Sequence, residues 1–119
     1  MSRFKSVFPR LLISFIFCCL ISILISSSVL ADTNLERGVK IFQANCAGCH
    51  ANGGNIVRRG KNLKLKALHK NHVDTQEAIA TLVTNGKGNM SAYGDKLSAE
   101  EITSVSAYVL QRAEANWRK

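Results

Sequence analysis

Past residue 31 this 119-residue chain contains no proline, two cysteines and one methionine; the only proline is Pro9, the cysteines are Cys46 and Cys49, and the methionine is Met90. Two thiols separated by two residues cannot build the disulfide framework of a small secreted domain. No apolar/polar alternation of useful length occurs anywhere, so strands are excluded as the main regular structure. Charge is missing altogether from Leu11 to Leu30. No serine–histidine pair or paired carboxylates form a hydrolytic constellation.

The uncharged run follows Arg3, Lys5 and Arg10, the positive start of an export signal. Val29-Leu30-Ala31 places small residues where a signal peptidase reads them, and Asp32-Thr33-Asn34 is polar. Residues 1–31 are therefore expected to be a cleaved signal peptide. An uncleaved anchor is the competing reading, since about 20 apolar residues span a bilayer. Ser22, Ser26, Ser27 and Ser28 weaken it as a permanent span, and Cys18 and Cys19 would leave with the peptide. Residues 32–119 then form one domain of 88 residues, without stable membrane insertion and too small for a generous core.

What is present in that domain is Cys46-Ala47-Gly48-Cys49-His50. This spacing reads as a covalent haem attachment site. Two thiols on one helical turn can add to the two vinyl groups on one edge of a porphyrin, and the next residue offers an imidazole to the iron. A zinc site would need a second ligand pair, and the separation of His69 from His72 is wrong for a zinc finger. A thioredoxin-like dithiol would need a βαβ frame that the pattern lacks. Attachment of this haem is made outside the cytoplasm, which agrees with an exported chain.

The helical pattern is legible. Thr33 with Glu36 marks a capping box ahead of an apolar face of Leu35, Val39 and Phe42, so a first helix should run from about Asn34 into the haem motif. Gly38 within it signals a close helix crossing. Asp74 with Glu77 predicts the start of a second helix, with Ile79, Leu82 and Val83 inward and Asn85-Gly86 at its end. Ser98 with Glu101 predicts a third, burying Ile102, Val105, Val109 and Ala113, with Tyr108 and Trp117 nearby. Residues 51–73 and 85–97 read as irregular, the first folding over one side of the haem. Met90 lies in the second, where a thioether suits the opposite face of the iron; a gap-filling core methionine is the alternative, and His69 and His72 are the competing ligands.

Cys46-Ala47-Gly48-Cys49-His50, Asn85-Gly86-Lys87-Gly88-Asn89-Met90, Leu97-Ser98-Ala99-Glu100-Glu101-Ile102 and Tyr108-Val109-Leu110 together resemble cytochrome c6 of the cyanobacterial and algal thylakoid lumen. The resemblance extends over residues 32–119, including Trp117. It implies an all-α class I cytochrome c fold, with about four short helices around one covalently bound haem c and the first and last helices crossing near Gly38 and Tyr108. It implies His50 and Met90 as axial ligands, and a one-electron carrier rather than an enzyme. The implied route runs from the cytochrome b6f complex, through its cytochrome f, to photosystem I as a plastocyanin substitute, or to a terminal oxidase. The thylakoid lumen is the implied compartment, with the periplasm as alternative, and the implied state is monomeric.

Two positions depart from that family. Ser91 replaces the usual proline after the methionine, and Leu82 stands where many members carry glutamine near the haem. Both bear on iron potential through ligand constraint, hydrogen bonding and dielectric. A divergent low-potential carrier in another circuit, a haem sensor or enzyme with a labile Met90, and a tethered respiratory subunit are the alternatives. Asn89-Met90-Ser91 is a formal glycosylation sequon, discounted because its loop should face the haem.

Three of the 16 basic residues precede residue 32, leaving 13 against all 8 acidic ones, a formal protein charge of +5. Arg58, Arg59, Lys61, Lys64, Lys66 and Lys70 concentrate the excess. This stretch is read either as a solvated loop or as a docking patch that steers the chain to an acidic surface. It lacks interleaved aromatics, so nucleic acid is not an expected partner.

Overall fold

The computed structural model describes residues 34–118; the expected signal peptide and the Thr33 half of the first capping box lie outside them. Five α-helical segments are present among the described residues. We name them α1 (34–45), α2 (Ala47–His50), α3 (Leu65–Lys70), α4 (Gln76–Asn85) and α5 (Ala99–Glu114). Among the described residues the only β feature is an isolated bridge between Lys87 and Met90. No helix among them is long and apolar enough to cross a membrane.

The start of α5 follows from its sequence. Ser98 Oγ accepts from the Glu101 amide at 3.2 Å, and the Ser98 amide donates to Glu101 Oε2 at 2.8 Å. This satisfies two helix-end groups at once and completes the expected capping box. Ile102, Val105, Val109 and Ala113 are all buried, as their spacing requires.

In α1 the buried side lies slightly round from the predicted stripe. Gly38, Ile41 and Phe42 are innermost, whereas Leu35 and Val39 are half-buried. Gly38 decides this. A side chain there would run into the Ser104 carbonyl and come within 2.8 Å of Tyr108 Cβ, so α1 meets α5 almost backbone to backbone. Phe42, Tyr108 and Trp117 close round the contact, with ring centroids 5.2 to 6.0 Å apart.

Two expectations need correction. Asp74 does not cap α4; its carboxylate pairs with His69 Nδ1 at 2.5 Å, and Thr75 Oγ1 instead accepts from the Ala78 amide at 3.2 Å. Residues 51–73 are not wholly irregular either, since they contain α3 and two 3-10 turns, Ala51–Gly53 and Arg59–Lys61. Helix α3 buries Leu68 alone and has no side-chain N-cap, so it left no apolar period to read.

Gly38→Ala should therefore cost roughly 1–3 kcal/mol, as overpacking at a rigid contact does. Denaturant unfolding of the haem-loaded protein measures it. A variant as stable as the native chain would show that α1 and α5 can part without loss.

Candidate functional site

The turn that follows α1 carries the haem motif. The Cys46 amide donates to the Phe42 carbonyl at 2.8 Å, and the Cys49 and His50 amides both return to the Cys46 carbonyl, at 3.1 and 2.9 Å. Cys46, Cys49 and His50 are thereby wound into one turn, the two cysteines on one side of it. Both thiols are free, Cys46 half-buried and Cys49 exposed. Burial, and then Cys49 beside it, push the Cys46 thiol up to about 11.

His50 Nδ1 lies 2.8 Å from the Gly54 carbonyl. A carbonyl can only accept, so Nδ1 carries the proton and Nε2 is left with the lone pair that binds a metal. That donor set suits haem c: two free thiols on one turn, and an imidazole whose tautomer and ring plane are already fixed. Among the described residues no cluster of three or more His, Cys, Asp or Glu could hold a bare metal ion. His69 is exposed and held by Asp74, and His72 is exposed on a left-handed turn residue.

Met90 reaches this region on a loop built against Gly86. Gly86 ends α4 with φ +68, and a side chain there would fall 2.6 Å from the Met90 carbonyl and 2.7 Å from the Ala92 amide. Lys87 and Met90 exchange backbone hydrogen bonds at 3.0 and 3.1 Å, while the Tyr93 and Gly94 amides bind the Val83 and Thr84 carbonyls of α4. Tyr93 Oη then donates to the Asn45 carbonyl at 3.0 Å, joining the Met90 loop to the residue before Cys46. Burial first, and then the charges of Cys46 and Cys49, raise the Tyr93 phenol. Met90 itself is half-buried and packs on the core cluster with Cys46 and Ala47. Leu82 is half-buried on α4, and Ser91 is exposed beside Met90.

All six basic residues of the candidate docking patch are exposed. Side-chain amides fix the backbone that carries them. Asn55 Oδ1 accepts from the Val57 and Arg58 amides, Asn62 Nδ2 donates to the Arg59 carbonyl, and Asn71 Nδ2 binds the Ala67 and Gly60 carbonyls. Asn71 also takes Lys61 Nζ on its Oδ1. The second 3-10 turn and α3 are thus tied into one basic face. Ile56 and Val57, the exposed large apolar residues, directly precede Arg58.

Sequence reasoning did not find Gly54 or Tyr93. One acts through its backbone carbonyl and the other through a bond across 48 positions, so neither leaves a local pattern.

Comparison with known proteins places the chain in a family. The family model for cytochrome C oxidase, cbb3-type, subunit III matches residues 33–109. A protein of Nostoc sp. (strain PCC 7120) named cytochrome c6-like is 59% identical over 85 residues, 71% of this chain and 77% of that protein. Cytochrome c6 of Aphanizomenon flos-aquae is 50% identical over 89 residues, covering 75% of this chain and 100% of its own. The crystal structure of cytochrome c6C from Synechococcus sp. PCC 7002 matches with a TM-score of 0.65 at 68% identity, over 66% of this chain and 96% of that one.

Gly86→Ala should strain the left-handed position and push the Met90 segment outward, at a cost of roughly 1–3 kcal/mol. Hydrogen exchange should show the Met90 and Tyr93 amides losing protection before those of α5. Unchanged protection would mean that the loop does not depend on Gly86.

Proposed function

The chain belongs to the cytochrome c6 family, and on that footing we propose that it carries single electrons in photosynthetic electron transport, from the cytochrome f of a cytochrome b6f complex to photosystem I or a terminal oxidase. Members of the family are electron carriers rather than enzymes and hold one covalently attached haem c. The proposed setting is the thylakoid lumen or a periplasm, reached after removal of residues 1–31.

The haem supplies a centre that gains and loses one electron. Cys46 and Cys49 would hold it through two thioether bonds, each thiol giving up its S–H to a vinyl group. The winding of both cysteines into one turn supports this role. His50 would bind the iron through Nε2, since Gly54 occupies Nδ1, and Met90 would bind the opposite face. With both residues bound, no position would stay open for oxygen or peroxide, and the chain's work would be to hold both ligands through a change of one charge. The single observation that carries the reading is the His50 Nδ1 bond to the Gly54 carbonyl, directly after the Cys46–His50 turn.

Arg58, Arg59, Lys61, Lys64, Lys66 and Lys70 would steer the chain to an acidic partner surface. Transient electron-transfer encounters are small, so long-range charge acts on the association rate more than on affinity. A different circuit of lower potential is the second reading, favoured by Leu82, whose apolar side chain offers no hydrogen bond near α4's inner face.

Redox titration of the haem-loaded protein separates the two: a high midpoint potential is expected, and a low one would move the chain to the second circuit. The rate of electron transfer from cytochrome f should fall as ionic strength rises from low to physiological values, and fall further for Arg58→Glu with Arg59→Glu. A flat salt response would remove the steering role.

A further inference from the structure

We infer that Trp117 is a positioning residue for His50: through Leu63 and Gly53 it holds the Gly54 carbonyl in place, and so sets how strongly the His50 ring donates to the iron. The inference rests on the reading of His50 as the histidine ligand.

The contacts form an unbroken line. Trp117 Nε1 donates to the Leu63 carbonyl at 2.9 Å, and the Leu63 amide donates to the Gly53 carbonyl at 2.8 Å. The next residue, Gly54, donates its amide to Ala51 at 2.9 Å and accepts His50 Nδ1 on its carbonyl at 2.8 Å. The indole also lies flat enough on Gly53 that any side chain there would strike the ring, and Gly53 has φ +73. The loop is therefore gripped from both sides, by a hydrogen bond at Leu63 and by ring contact at Gly53.

The C-terminal end is bent to deliver this side chain. Asn116 and Trp117 have φ values of +52 and +55, a conformation that costs energy outside glycine and persists only where contacts over-determine it. Those contacts are the Trp117 amide on the Arg112 carbonyl at 2.7 Å, the Arg112 guanidinium 5.7 Å from the ring centroid, and the rings of Phe42 and Tyr108. Core filling alone does not require the Nε1–H to meet a loop carbonyl 54 positions away.

A ligand imidazole that donates Nδ1–H to a firmly held carbonyl gains anionic character, which favours oxidised iron and lowers the potential. Loosening the carbonyl has the opposite effect.

The test uses haem-loaded protein. Trp117→Phe keeps an aromatic ring and removes the Nε1–H; Ile79→Val trims the buried core on α4 and touches none of the contacts in that line. Trp117→Phe should raise the midpoint potential and speed exchange of the His50 Nδ1 proton several-fold by NMR. Ile79→Val should lower thermal stability with potential and exchange unchanged. Two variants that lose stability alike, with neither readout moved in Trp117→Phe, would overturn the inference and leave Trp117 a core aromatic. If Trp117→Phe does not fold, native protein decides: the Trp117 Nε1 and His50 Nδ1 protons should exchange through one opening with a shared temperature dependence, and independent exchange would overturn it. Failure of the underlying reading is distinct, because oxidised native protein would then show no paramagnetically shifted His50 ring resonances.

Discussion

The close approach of α1 to α5 at Gly38 fixes where the Cys46–His50 turn sits, because that turn continues directly from α1. The capping box at Ser98 sets the start of α5, and Gly38 lets α1 settle against the Ser104 and Tyr108 positions of that helix. The aromatic triad of Phe42, Tyr108 and Trp117 then fills the space beside the crossing. In a domain of this size the apolar core is modest, and a covalently attached haem adds a large apolar body to it.

The two irregular segments are held by different means, suited to different tasks. Residues 54–71 rely on asparagine side chains bonding backbone groups, which shapes a loop with little buried apolar surface and leaves its lysines and arginines in water. Residues 86–94 rely on a left-handed glycine, two bonds to α4 and the Tyr93 hydroxyl on Asn45, with Met90 half-buried against the core. The first segment presents charge to water, and the second fixes the backbone on either side of Met90.

Much of this was legible beforehand. The Cys-x-x-Cys-His spacing, the Ser98 capping box and the apolar period of α5 each express a local rule, so they could be read from one stretch of chain. Gly38 was legible as a crossing point because a helix tolerates glycine poorly without a packing reason. Helix α3 was not, since one buried leucine in six residues makes no period. Asp74 misled for a physical reason: its carboxylate had a better partner in His69, leaving the neighbouring threonine hydroxyl to cap α4. Gly54, Tyr93 and Leu63 contribute backbone carbonyls or long-range bonds, which no sequence window contains.

The central claim is that His50 and Met90 together close the iron to bond chemistry and make this chain a carrier. The visible spectrum of the oxidised, haem-loaded protein tests it most directly. A sulfur-to-iron charge-transfer band that disappears in Met90→Leu is the predicted result. Native protein without that band, or a band that survives in Met90→Leu, would contradict it.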